Sequence, residues 1–335
     1  MPVNSVGDMA QHFMSMRNGS GIKSELARLS ESMSSGRVSD ITRHLGGETA
    51  RLSGINHSLT QISSYAQAGR ETEQTLATMQ TVLNQVGALR ETTGGQLLLV
   101  SNNSSEDQVN EAARASSSTF GTMVNLLNTR VGDRAIFGGA EVAMTTLAKA
   151  DTMVADIQAA IGGATSQAAI SAIVSDWFDS PTGGFSTMGY AGDTGPALQK
   201  RVSANTSLVL DARADDPAIR TVLKFAAMAA IVDEMPSLPP ATRTGLLQEA
   251  GAGFLGSASA LVAVQARIGF GEATVSQEMA EMSAQGAALE IAKNNLISAD
   301  PFDTASRLQS VQIQLETHYA VTARLSQLSL LRYMS

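Results

Sequence analysis

The last 28 residues, Leu308 to Ser335, contain no glycine and no proline, and they constrain this chain more than any other segment. Leu308, Val311, Leu315, Tyr319 (or Thr322 at the same turn), Leu325 and Leu328 recur at helical spacing, which predicts an amphipathic helix with one apolar stripe. Such a stripe needs a cover. Each fully buried Leu contributes roughly 1.5–3 kcal/mol, and the same surface left bare favours aggregation. A second stripe, Ile22, Leu26, Leu29 and Met33, lies near the other end at spacings of 4, 3 and 4. The expectation is that the two ends meet and that the chain is a building block rather than an enzyme.

Composition supports long helices. Apolar residues make up 43% of the 335, yet aromatics only 4%, and 15 Met stand against the single Trp177. That mix suits seams of small and unbranched side chains better than a thick globular core. A net charge of −8, with no Lys/Arg run longer than two, excludes the basic footprint of a nucleic-acid binder. The absence of Cys removes disulfides, thiolate metal sites and Cys nucleophiles together. The opening MPVNSVGDMAQHF lacks the basic and apolar regions of a cleaved signal. No window is expected to approach the roughly 20 apolar residues of a membrane span; Phe225 to Val232 is the longest apolar cluster read.

Along the chain the pattern is helical, then mixed, then helical. The first helix stops at Ser34-Ser35-Gly36, and residues 37–47 read as a connector closed by Gly46-Gly47. A long helix spans about Glu48 to Val100, with Gly94-Gly95 as a weak point. After a turn at Asn102 to Ser104, Ser105 and Gln108 have capping-box spacing. The next helix carries Val109, Ala113, Ser116, Phe120, Met123 and Leu127 on one face, making an antiparallel hairpin that ends near Arg130. Ala135 to Gly139 reads as a short strand and turn, Thr146–Ile161 and Ser166–Phe178 as helices, 181–196 as loop, and Leu198–Val202 with Ser207–Ala212 as paired strands. Asp216-Pro217 and Asp300-Pro301 each supply an N-cap followed by proline in the first turn. The expected class is mainly α with a small α+β insert. Residues 1–36 and 300–335 form a terminal coiled-coil domain, 37–130 and 236–299 a helical bundle, and 131–235 an outward-facing insert.

Catalytic patterns are weak. His12, His44, His57 and His318 show no i, i+4 metal pair, and HExxH is absent. His318, beside the apolar stripe, reads as a helix-surface or interface residue. Ser20 to Lys23 matches S-x-x-K without its companion motifs. Gly183 to Gly195 lacks a phosphate-loop ending, and Asp215, Asp216 and Asp300 have sufficient work as helix-start charges. No catalytic residue, cofactor or metal is assigned.

The residues at both ends resemble the family of bacterial flagellins and flagellar hook–filament junction proteins. Tyr319, Thr322, Ala323, Arg324, Ser326, Leu328, Ser329, Leu330 and Leu331 match that family's Tyr-x-x-Thr-Ala-Arg-x-Ser-x-Leu-Ser-Leu-Leu ending. Leu26 and Leu29 through Ser34-Ser35-Gly36 are similar to its N-terminal turn. Gly132 to Gly139 resembles the Gly-x-Tyr-Ile-Phe-Ala/Gly-Gly motif of junction proteins, and Asp211 to Ala218 the end of their middle domain in an α-proteobacterial type. Residues 37–47 depart from the family pattern, which carries a Pro and paired Asp there. The resemblance implies export through the flagellar type III route, pairing of the terminal helices as a coiled coil, and contact with other copies in a ring. It also implies contact with an adjacent hook-associated protein, flagellin and an export chaperone held on the C-terminal helix. The interface residues it implies are Ile22, Leu26, Leu29, Met33, Leu308, Val311, Leu315, Tyr319, Leu325, Leu328 and Leu331. Flagellin itself is the closest alternative. A cytoplasmic coiled-coil signalling or chaperone module, and an enzyme with its site in the middle domain, are the alternatives of other classes.

Overall fold

A computed structural model describes residues 4–141 and 145–333, with side chains described over 9–141 and 145–325. The helices in chain order are α1 (Asn4–Ser35), α2 (Ile41–His44), α3 (Thr49–Leu99), α4 (Glu106–Leu127), α5 (Ala150–Ile161), α6 (Gln167–Asp179), α7 (Pro217–Glu234), α8 (Pro240–Gly256), α9 (Ala258–Ile297) and α10 (Pro301–Tyr333). Two antiparallel ribbons, β1 (Arg130–Val131) with β2 (Arg134–Ala135) and β3 (Leu198–Arg201) with β4 (Ser207–Leu210), complete the fold. The expected class, mainly α with a small β component, is the one observed.

The chain gathers into two compact units, Met1–Ile62 with Ser283–Ser335, and Ser63–Met282. This division differs from the expected three parts. Residues 131–235 share one hydrophobic core with the helices before and after them, because α7 packs on both α4 and α8. Eleven residues of α7 are buried, including the whole run Ala226 to Val232. A run buried on all sides belongs inside a core, so the second half of α7 organises this unit instead of closing an outer insert.

Within the Ser63–Met282 unit, α4 buries every residue of its expected face, from Val109 to Leu127. Its start is a complete capping box: the Gln108 N–H donates to Ser105 Oγ at 3.3 Å and the Ser105 N–H to Gln108 Oε1 at 2.9 Å. Ser105→Ala is expected to cost about 1 kcal/mol of stability, read from the urea midpoint, because an orphan N–H loses its acceptor. Gly94 is no weak point. A Cβ there would stand 3.0 Å from Phe254 Cβ and 3.5 Å from Gly251 O, so α3 and α8 touch backbone to backbone where both lack side chains. Residues 185–189, expected as loop, form a π-helical turn (Phe185–Gly189), whose Phe185 stacks with Phe178 and Tyr190. Trp177 joins this cluster and donates from Nε1 to Asp156 Oδ2 at 2.7 Å. The β3–β4 register sets Leu198 opposite Leu210 and Arg201 opposite Ser207.

One sequence expectation on membranes needs correction. A window of 18 residues within Pro240–Ile297 reaches a mean hydropathy of 1.2, long and apolar enough to cross a bilayer by length and composition. The stretch is rich in Ala and Gly, and its larger aliphatics are scattered among polar residues instead of forming one long apolar run.

Candidate assembly surface

In the terminal unit, α1 and α10 lie side by side. Their connectors are clasped by backbone bonds: the Val38 N–H donates to Ile297 O at 2.9 Å and the Ala299 N–H to Gly36 O at 3.0 Å. Gly36, at φ +67°, makes the turn out of α1 that this requires. Asp300 opens α10 by accepting from the Phe302 N–H at 2.8 Å and the Asp303 N–H at 3.2 Å, with Pro301 in the first turn.

The helices run antiparallel. Ser15 lies level with Thr322, Gly19 with His318, and Arg37 bridges Ser298. Carried along the pair, this register sets Ile22 level with Leu315, Leu26 with Val311 and Leu29 with Leu308. All six are half-buried. The remaining seam positions are polar. Ser32 is buried and its Oγ accepts from the Ser39 N–H at 3.1 Å, while Thr304 is buried on the other helix. At the far end His318 sits in the seam, with Nε2 2.9 Å from Ser15 O and 3.3 Å from Ser15 Oγ. The carbonyl can only accept, so Nε2 carries the proton. A Cβ on Gly19 would come within 2.9 Å of the His318 ring, so the glycine is the notch that admits it.

Three of the expected stripe residues face solvent in the chain: Met33 (47% exposed), Tyr319 (52%) and Leu325 (46%). Ser32 and His318 take the seam places of Met33 and Tyr319, and Thr322, the alternative expected at that turn, is half-buried beside Ser15. The seam alternates apolar with polar layers, and a search for apolar residues alone steps one position off wherever a layer is polar. The side chains of Leu328 and Leu331 lie outside the described residues. Tyr319 instead receives Lys23 over its ring at 5.6 Å.

A further set of apolar residues stays bare. On α1, Met9, Phe13 and Met16 fall at spacings of 4 and 3 and are 73%, 72% and 58% exposed. On α10, Ile313 and Val321 are 56% and 51% exposed and share a face with Leu325. Each terminal helix thus carries an inner stripe that meets its partner and an outer one left exposed among the described residues. The stripe through Met9 has the same periodicity as the one through Leu26 and lies just before it in the sequence.

In the Ser63–Met282 unit, the sequence motifs around residues 132–139 and 211–218 come together. The Ala214 N–H donates to Phe137 O at 3.0 Å and the Asp193 N–H to Gly138 O at 2.9 Å. Arg213 binds Asp215 Oδ1 at 3.0 Å and Gly195 O at 2.8 Å. Burial pushes the Asp215 carboxyl up, against the pull of Arg213. Burial first, and then the Asp215 charge, push the Tyr190 phenol up as well. Tyr190 donates to Asp193 O at 3.1 Å, so these groups are spent on holding loops together. Among the described residues no group of three or more His, Asp or Glu is placed to hold a metal.

Comparison with known proteins agrees with this geometry. Residues 256–334, which cover α9 and α10, match the family model described as the bacterial flagellin C-terminal helical region. Over that stretch the chain is similar to the C-terminal region of flagellins. Its fold is shared with hook-associated proteins. The crystal structure of Bacillus cereus FlgL superposes with a TM-score of 0.52 at 12% identity, covering 72% of this chain and 99% of that one. A structure assigned to a flagellar hook-associated protein of Vibrio parahaemolyticus gives 0.51 at 11% identity, covering 75% and 99%. No curated protein matches the chain by sequence.

Proposed function

We propose that this chain is a structural subunit of the bacterial flagellum, and specifically the hook–filament junction protein on which flagellin assembles. The observation that carries the reading is the pair of terminal helices with an uncovered outer stripe, in a chain whose α9–α10 region is flagellin-like and whose fold spans nearly all of FlgL. Its work is assembly rather than catalysis. Outer stripes of neighbouring copies cover one another around a ring, and repeated contacts of this heterologous kind close a tube with helical symmetry. Ile22, Leu26, Leu29, Leu308, Val311 and Leu315 hold the inner seam of a coiled coil. Met33, Tyr319, Leu325, Leu328 and Leu331 belong to surfaces that other copies, an adjacent hook-associated protein, flagellin or an export chaperone cover. The protein leaves the cell by the flagellar type III route, with its termini ordering fully on incorporation.

The second reading is flagellin itself, favoured by the flagellin-type match over residues 256–334. Deleting the gene separates the two. Loss of a junction protein leaves flagellin monomers accumulating in the medium, detected by immunoblot; loss of the filament subunit leaves none to secrete. A strain that swims and retains its filaments without this protein would refute both.

A further inference from the structure

The β3–β4 ribbon turns one face inward. Leu198, Lys200, Leu208 and Leu210 are half-buried, while Gln199, Arg201, Ser207 and Val209 are exposed, as alternation along paired strands requires. Lys200 stands opposite Leu208, whose methyl groups pack onto α9 at Gly271. A lysine thus occupies a place on the inner face where the other three residues are leucine.

The Lys200 ammonium has no hydrogen-bond or ion-pair partner among the described residues, and neither has the Arg134 guanidinium on the β1–β2 ribbon. Burial first, and then the charge of Arg134, push the Lys200 ammonium down. Glu71 on α3 pulls the other way, but its carboxylate accepts from Gln67 Nε2 at 3.3 Å and forms no ion pair with Lys200. Two cations are therefore held near one another, one of them half-buried, with nothing bonded to either.

Both line a cleft of about 470 Å³ bounded by α3, the β1–β2 ribbon and the inner face of β3–β4. Val131, Ile136, Leu198 and Leu210 give it apolar walls. A concave, mostly apolar space with a few convergent polar groups is how small-molecule sites are built. Glu71 and Asp133 also line the cleft, and Arg213 is already spent on Asp215 and Gly195 O. Two free cations set against two carboxylates give no excess charge for a polyanion, so the cleft suits a single negative group on an apolar body.

We propose that this cleft binds a small amphipathic carboxylate, with its anionic head between Lys200 and Arg134 and its apolar body against Ile136, Leu198 and Leu210. The site lies within the Ser63–Met282 unit and stands apart from the assembly reading.

The probe is octanoate, titrated calorimetrically into the full chain near neutral pH and below its micelle concentration, with octanol and acetate as its two halves. Octanoate is expected to saturate a single site per chain and to bind at least about tenfold more tightly than either half, because a charge-assisted hydrogen bond and apolar burial each add that much. Lys200→Met should weaken octanoate by about tenfold. It should melt no lower than wild type without octanoate, because the ammonium it removes has no partner. Lys200→Arg keeps the charge and should keep the binding. Lys149→Met removes an exposed lysine outside the cleft and should change nothing. Exposed side chains such as Met9 and Phe13 would take up octanol as readily as octanoate, so equal affinity for the two would overturn the site. Unaltered octanoate binding by Lys200→Met would do the same, as would no saturable binding in wild type. A melting temperature of Lys200→Met well below wild type would also overturn it, since the ammonium would then already be satisfied within the fold.

Discussion

Cells whose only copy of this protein stops at residue 315 are expected to be non-motile, with swimming halos no larger than those of the deletion strain. The truncation removes His318, Thr322 and the outer residues Tyr319, Val321 and Leu325. It leaves Ser15 and Gly19 on α1 without the Thr322 and His318 they face. Each seam leucine is only half-buried by the pair, so the pair alone is marginal and the rest of its stability must come from neighbours. A point variant separates assembly from export. Gly19→Leu fills the notch occupied by the His318 ring and forces the helices apart, while leaving the C-terminal sequence intact for an export chaperone. It is expected to be secreted at normal levels yet fail to support filaments. Wild-type swimming by the truncated protein would sink the assembly reading in every form.

Phe254→Ala is expected to lower the stability of the Ser63–Met282 unit by about 3–5 kcal/mol, a fall of on the order of 10 °C in its melting temperature. Phe254 is fully buried and sits where α3 and α8 approach closest, against Gly94. Its carbonyl accepts from Arg90 Nη1 and from Ser257 Oγ, so its backbone also anchors a buried guanidinium. Removing the ring opens a cavity that the neighbouring backbones cannot fill, because two glycines already hold α3 and α8 at their closest approach. Phe254→Leu, which retains most of the volume, should recover more than half of the loss. A loss below about 1 kcal/mol for the alanine variant, measured by urea titration, would contradict the packing described.

Much of this architecture could be read from residues, and the exceptions share a cause. The Ser105–Gln108 box and the Val109 to Leu127 face were legible because both are local, set within one or two helical turns. The meeting of the chain ends was legible because two stripes lacked any other cover. The inner seam was read one residue off at Met33 and Tyr319 because Ser32 and His318 place polar groups there, and burial of polar groups leaves no trace in apolar spacing. Gly94 was read as a break because glycine weakens an isolated helix; its partner, Gly251, lies 157 positions away and is brought near only by tertiary packing. The boundary expected near residue 131 followed a change in composition. The run Ala226 to Val232 in α7 held the better signal, since a stretch buried on every side belongs inside a core.

The pairing of Ser15 with His318 joins residues separated by 303 positions. Contacts that distant close late, since the loop entropy of the intervening chain is lost before any contact repays it. On the ribosome α1 emerges long before α10, so it waits for its mate through the synthesis of everything between them. Its methionine and phenylalanine side chains are therefore open to other binders for as long as translation lasts. The order of manufacture itself keeps this subunit from finishing its fold early.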